Sequence, residues 1–202
     1  MTTTSGAARP VGRPAAASQD QVLAAASAQF LACERVDVQA IAAELGLSRA
    51  TIYRWFGSRD GLLGAVMVSE FERMVLAAQT RDDGTGAPRV LALLDRVAQW
   101  MTRSEAYRYF IATEQATAGR IITTSDGPVQ PKVVGVVAEI LDTAMVEGYQ
   151  NRVDTQTFAY ALVRLIEAFL YQDAVTGLRG DVERLRAVLA VILGLDPDQR
   201  GP

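Results

Sequence analysis

Between Ser48 and Arg54 the chain gathers side chains suited to a polyanion: Arg49, Ala50, Thr51, Tyr53 and Arg54. A guanidinium can take guanine bidentately in a major groove. The methyls of Ala50 and Thr51 can rest on thymine methyls, and the Tyr53 hydroxyl can reach a phosphate. If Ser48 caps a helix at this point, the free amides of its first turn add an electropositive end that attracts phosphate. The chemistry expected of this stretch is recognition of duplex DNA rather than bond making.

Such a surface needs an opposite face that is held in place. Counting from Val38, apolar residues recur at Ile41, Leu45, Leu47, Ile52 and Trp55. Ala42 falls where two crossing helices come closest, and Gly46 where a turn requires positive φ. The pattern is a helix-turn-helix, with helices over 38–45 and 49–56, the first stopped by Gly46 and the second ended by Gly57. An ordinary αα-hairpin accounts equally well for Ile52, Trp55 and Phe56, which are expected in the core. It does not account for the cationic side. A helix from Ser18 or Asp20 to about Ala32, with Val22, Leu23, Ala26 and Phe30 inward, precedes the pair, and a longer one from Ser58 to about Thr80 follows.

Composition narrows the alternatives. The 202 residues contain no histidine, which removes Ser–His and Cys–His nucleophiles and His-ligated metals. No phosphate-loop or dinucleotide-binding glycine pattern is present, and Lys132 is the sole lysine. No catalytic residue, cofactor or metal is therefore expected. The single cysteine, Cys33, excludes an internal disulfide, and no apolar run is long enough to cross a bilayer or serve as a signal peptide. The expected setting is the cytoplasm. Net charge is −3, but residues 1–60 carry six arginines against five carboxylates, so the basic share leans to the front.

The organisation reads as an all-α chain of about nine helices. Residues 1–18 form a Pro/Gly-rich disordered arm, 19–66 the helix-turn-helix domain, and 67–202 a helical domain. Within the last, a loop covers 81–88 and helices are expected at 88–102, 104–121, 129–149, 155–176 and 181–194. In the arm, Arg13 lies in Gly12-Arg13-Pro14, a segment able to place arginine in a narrow minor groove. A tail without a role fits the arm as well.

Residues 20–65 resemble the DNA-binding domain of tetracycline-repressor-type (TetR family) regulators. The resemblance rests on Ile41-Ala42-Ala43-Glu44-Leu45-Gly46-Leu47-Ser48, then Arg49-Ala50-Thr51-Ile52-Tyr53-Arg54-Trp55-Phe56, then Gly57-Ser58-Arg59-Asp60-Gly61-Leu62-Leu63. It implies that Tyr53 and Ser48, Arg49, Ala50 and Thr51 enter the major groove, that Arg59 holds a phosphate, and that Gln39 touches the backbone. The chain departs from the family pattern between Phe30 and Ile41. The link is shorter than usual and lacks the customary glycine after the first helix. Asp37 replaces a Thr or Ser, and its charge repels DNA unless helix amides occupy it.

The same resemblance implies a ligand-binding domain after the fourth helix and a homodimer through the last two. Phe158, Leu162, Leu165 and Phe169 recur at helical spacing, as do Val182, Leu185, Leu189 and Ile192, which suits a four-helix seam. Packing within one subunit explains the stripes too. Trp100, Met101, Tyr107, Tyr109, Phe110 and Glu114, with Arg164, Glu167 and Tyr171, are candidates for a small-molecule site, against the plainer reading of core aromatics and a helical ion pair. Residues 121–130 and 160–171 are similar to the effector domain of quorum-signal and lactone-degradation regulators (QsdR-like). That likeness implies a lactone-like effector and a repressor bound to a palindromic operator. A helical binding or scaffolding protein that never meets DNA remains the alternative, and an enzyme working with Glu, Tyr or Lys is a third.

Overall fold

The computed structural model describes residues 17–79, 84–125, 127–176 and 182–197. Among them the chain forms ten helices: α1 Gln19–Leu31, α2 Val38–Glu44, α3 Arg49–Phe56, α4 Arg59–Gln79, α5 Ala87–Arg103, α6 Glu105–Thr113, α7 Gln115–Thr123, α8 Val129–Val146, α9 Thr155–Thr176 and α10 Val182–Ile192.

Local chemistry explains most boundaries. Ser18 caps α1 in a capping box with Gln21. The Asp37 carboxylate accepts from the amides of Gln39 and Ala40, and the Ser48 hydroxyl from that of Thr51. Gly46, at φ 64°, turns α2 into α3 in the left-handed region where a Cβ is strained. After α1 that region is taken by Cys33 instead, at φ 58°. The Cys33 amide donates to the Phe30 carbonyl and the Glu34 amide to the Gln29 carbonyl, so the customary helix stop forms without its glycine.

The expected single helix over 104–121 is divided. Glu114, at φ −127° and ψ 43°, breaks the helix between α6 and α7, which makes ten helices rather than nine. The break coincides with tertiary contacts. Two ion pairs, Arg59–Glu114 and Asp60–Arg120, tie the first turn of α4 to the break and to α7 separately.

Among the described residues, two apolar clusters fill the interior. One joins the end of α4 to α5, α8, α9 and α10. The other joins α1–α4 to α6, α7 and the start of α8, so the helix-turn-helix shares a core with residues far beyond position 66. Phe30 of α1 meets Phe110 of α6 edge-on, with ring centres 5.9 Å apart. Ile41, Ile52, Leu62 and Leu63 are fully buried here, each stabilising the fold by about 1.5–3 kcal/mol. Trp55 and Phe56, expected in the core, are only half-buried against it. α4 also passes close to the start of α8: a Cβ on Gly64 would fall 2.1 Å from Pro128 Cγ.

Candidate nucleic-acid interface and effector cavity

The geometry of α3 separates its two sides. Ile52 points inward with no exposed surface, while Arg49, Ala50 and Arg54 are exposed, as are Ser48 and Gln39 beside them. Thr51 and Tyr53 are half-buried. The Ser48 and Thr51 hydroxyls lie 3.0 Å apart, so the cap and its neighbour share a hydrogen bond. The Arg49 guanidinium sits over the Tyr53 ring, 5.8 Å from its centre. That stacking, worth about 0.5–1 kcal/mol at an exposed site, orients the cation without burying it.

A shallow depression collects Arg35, Asp37, Gln39, Arg49, Tyr53 and Arg59. Arg35 did not stand out in the sequence. The clue was a basic residue two positions before the α2 cap, which the shortened link brings to the groove edge. Asp37 faces this surface, but the α2 amides hold one of its oxygens at 2.7 and 3.2 Å. Its charge is thereby engaged by the helix end. Arg13 lies outside the described residues.

Arg59 requires a correction. Expected at a phosphate, it instead forms a bidentate pair with Glu114 at 2.6 and 2.7 Å, and its Nε donates to the Val36 carbonyl at 2.8 Å. Its side chain is 18% exposed and that of Glu114 15%. Three of its five N–H donors are engaged in this way, so Arg59 holds three segments together: the α1–α2 link, the start of α4 and the α6–α7 break.

Between α4, α5, α8 and α9 lies a cavity of about 80 Å³. Trp100, Met101, Tyr107 and Glu167 line it, joined by Glu70 among apolar neighbours. Tyr109, Phe110 and Glu114 do not. They border a smaller hollow between α1 and α6, and Phe30 borders both spaces. Arg164 stands at the flank: its Nη1 donates to the Thr123 carbonyl and to Glu167, each at 2.9 Å. Burial pushes the Glu167 carboxyl above its ordinary range, and Arg164 and Gln130 pull it partly back. The Tyr171 side chain lies outside the described residues.

The expected seam also changes. Leu162, Leu185 and Leu189 are at most 1% exposed and pack within this subunit, so they are unavailable to a partner. Phe158, Leu165 and Val182 are half-buried against the same core. Ile192 is exposed, together with Val188 and Val191 on α10 and Tyr160 on α9. Helical spacing identified a buried stripe, but not which body buries it.

Comparison with known proteins agrees with this architecture. Residues 22–66 match the model of bacterial regulatory proteins of the tetR family, and residues 85–194 that of the tetracyclin repressor-like C-terminal domain. The transcriptional repressor QsdR of R. erythropolis, from the TetR family, is similar at 27% identity and a TM-score of 0.81, over 90% of this chain and 96% of that one. The fatty acid degradation regulator FadR of Bacillus halodurans shares the fold at 16% identity and a TM-score of 0.57, over 91% and 100% of the two chains. No curated protein matches. Matched along most of its length and carrying the outward cationic helix such regulators need, the chain belongs to the TetR family of DNA-binding transcriptional regulators, which are not enzymes.

Proposed function

We propose that this regulator is a homodimeric repressor that binds a palindromic operator and is released by a small, lactone-like effector. The observation carrying the DNA reading is the sidedness of α3: Ile52 sealed, Arg49 and Arg54 in solvent. Ser48, Arg49, Ala50, Thr51, Tyr53 and Arg54 would enter the major groove, with Gln39 and Arg35 on the backbone. A dimer joined through the exposed faces of α9 and α10 would set two such helices roughly 34–36 Å apart. The cytoplasm is the setting this function requires.

Release follows from α4. Arg59 and Asp60 stand at its start, in the two ion pairs, while Met67, Glu70 and Phe71 line the cavity. From Arg59 to Glu70 the helix rises about 16 Å, a rigid rod between the two places. A ligand seated in the cavity displaces α4, and the clasp carries that displacement to the α1–α2 link and α3. A difference of about 1–3 kcal/mol between the two conformations changes operator affinity by roughly 5–150-fold. The lactone assignment is carried by likeness to QsdR-type effector domains.

The test is protection of the DNA upstream of the regulator's own gene, followed by duplex binding at increasing salt. A reader of DNA leaves a two-fold symmetric footprint and loses affinity steeply with salt. A helical binding protein that never meets DNA leaves no footprint, and that result would reject the proposal.

A further inference from the structure

The cavity walls are almost entirely apolar, yet the charge they carry is of one sign. Among the described residues lining it, the charged ones are Glu70 and Glu167, and no lysine or arginine joins them. Glu70, on α4, is 5% exposed, while its ion-pair partner Arg73 stands 63% exposed on the outside. Glu167, on α9, receives Arg164 from the flank and the buried Gln130 amide at 3.4 Å. An ionised carboxylate only accepts hydrogen bonds. In apolar surroundings it is costly unless donors complete its shell.

These facts select the polar end of a ligand. An anionic head group brought into the cavity meets two acceptors and no cation on the wall. A donor meets carboxylates whose cation partners, Arg73 and Arg164, stand outside the lining, while the remainder of the molecule covers the apolar lining. We infer, resting on the reading of this cavity as the effector site, that its ligand is an apolar molecule whose polar end donates a hydrogen bond, as ammonium, N–H or O–H, to Glu70 or Glu167, and that carboxylates are excluded. A lactone ring offers only acceptors, so a lactone effector meets these groups through an N–H or O–H elsewhere on the molecule. Because Glu70 belongs to α4, a donor bound there acts directly on the helix that carries the clasp.

Octylamine, octanol and octanoate share one chain and differ in head group. Calorimetric titration of each into the full-length protein separates donors from the anion. The expected result is binding of the amine and the alcohol, with octanoate weaker by roughly tenfold or more, the scale of a like-charge encounter. Glu70→Gln or Glu167→Gln narrows that ratio, and the wild-type comparison stands whether or not both variants fold. Octanoate binding as tightly as the other two, or a ratio unmoved by either variant, overturns the donor inference and leaves the cavity as an effector site. Failure of all three probes to bind overturns the cavity reading itself, and this inference with it.

Discussion

Glu114→Gln tests whether the clasp holds the DNA-binding helices to the C-terminal domain. The substitution keeps the shape of the side chain and removes its charge, leaving Arg59 with the Val36 carbonyl and one amide oxygen. The pair is 18% and 15% exposed, between two limits. Fully exposed pairs contribute about 0–1 kcal/mol. Breaking a fully buried pair costs about 3–5 kcal/mol. A retained hydrogen bond lowers the expected loss to about 2 kcal/mol. For a chain of this length that corresponds to a fall in melting temperature of about 4–8 °C, measured at fixed protein concentration because dimerisation couples to stability. A double-mutant cycle with Arg59→Gln isolates the pairwise term. The second readout is the salt dependence of duplex binding. An Arg59 freed from Glu114 can turn to a phosphate, which steepens the slope by about 0.9. Arg120→Gln, which breaks the more exposed pair with Asp60, serves as the contrast and should cost under about 1 kcal/mol. A melting temperature unchanged by Glu114→Gln, with a coupling energy near zero, would refute the assignment of α4's anchorage to this pair.

Four other outcomes are expected. Arg49→Ala should weaken operator binding by about 1–3 kcal/mol and relax preference at one base pair, read from binding to a set of singly substituted duplexes; equal losses on every sequence would place Arg49 on phosphate alone. Cys33→Gly should raise denaturant stability by up to about 1 kcal/mol, since glycine accepts the left-handed backbone that Cys33 holds at φ 58°. Asp37→Ala removes the acceptor of two α2 amides and should cost about 1 kcal/mol in the same assay. Val191→Asp, on the exposed face of α10, should shift sedimentation from dimer to monomer without lowering helix content; an unchanged dimer would move the seam elsewhere.

Much of the α1–α4 unit was legible in the sequence because its determinants are local. Caps at Ser18, Asp37 and Ser48, the positive φ at Gly46, and the apolar spacing around Ile41 and Ile52 act within a few residues of themselves. The long helices of the second domain were readable for the same reason. The candidate effector residues were less so. Trp100, Met101, Tyr107 and Glu167 line the cavity, but Tyr109, Phe110 and Glu114 border the hollow beside α1, because which side of α6 meets α1 depends on the packing of distant helices, which periodicity does not show. Glu70 gives no signal in the sequence, and its burial follows only from the packing of α4 against the other helices.

From sequence alone, the chain's class, its helix-turn-helix and the cationic composition of α3 follow, since these depend on residue type and near neighbours. Only the tertiary structure decided that Arg59 turns to Glu114, a residue 55 positions away, and that Leu162, Leu185 and Leu189 serve the subunit's own core. An arginine's donors and a leucine's face can be satisfied by many partners. Which partner wins depends on distances that exist only once distant helices have packed.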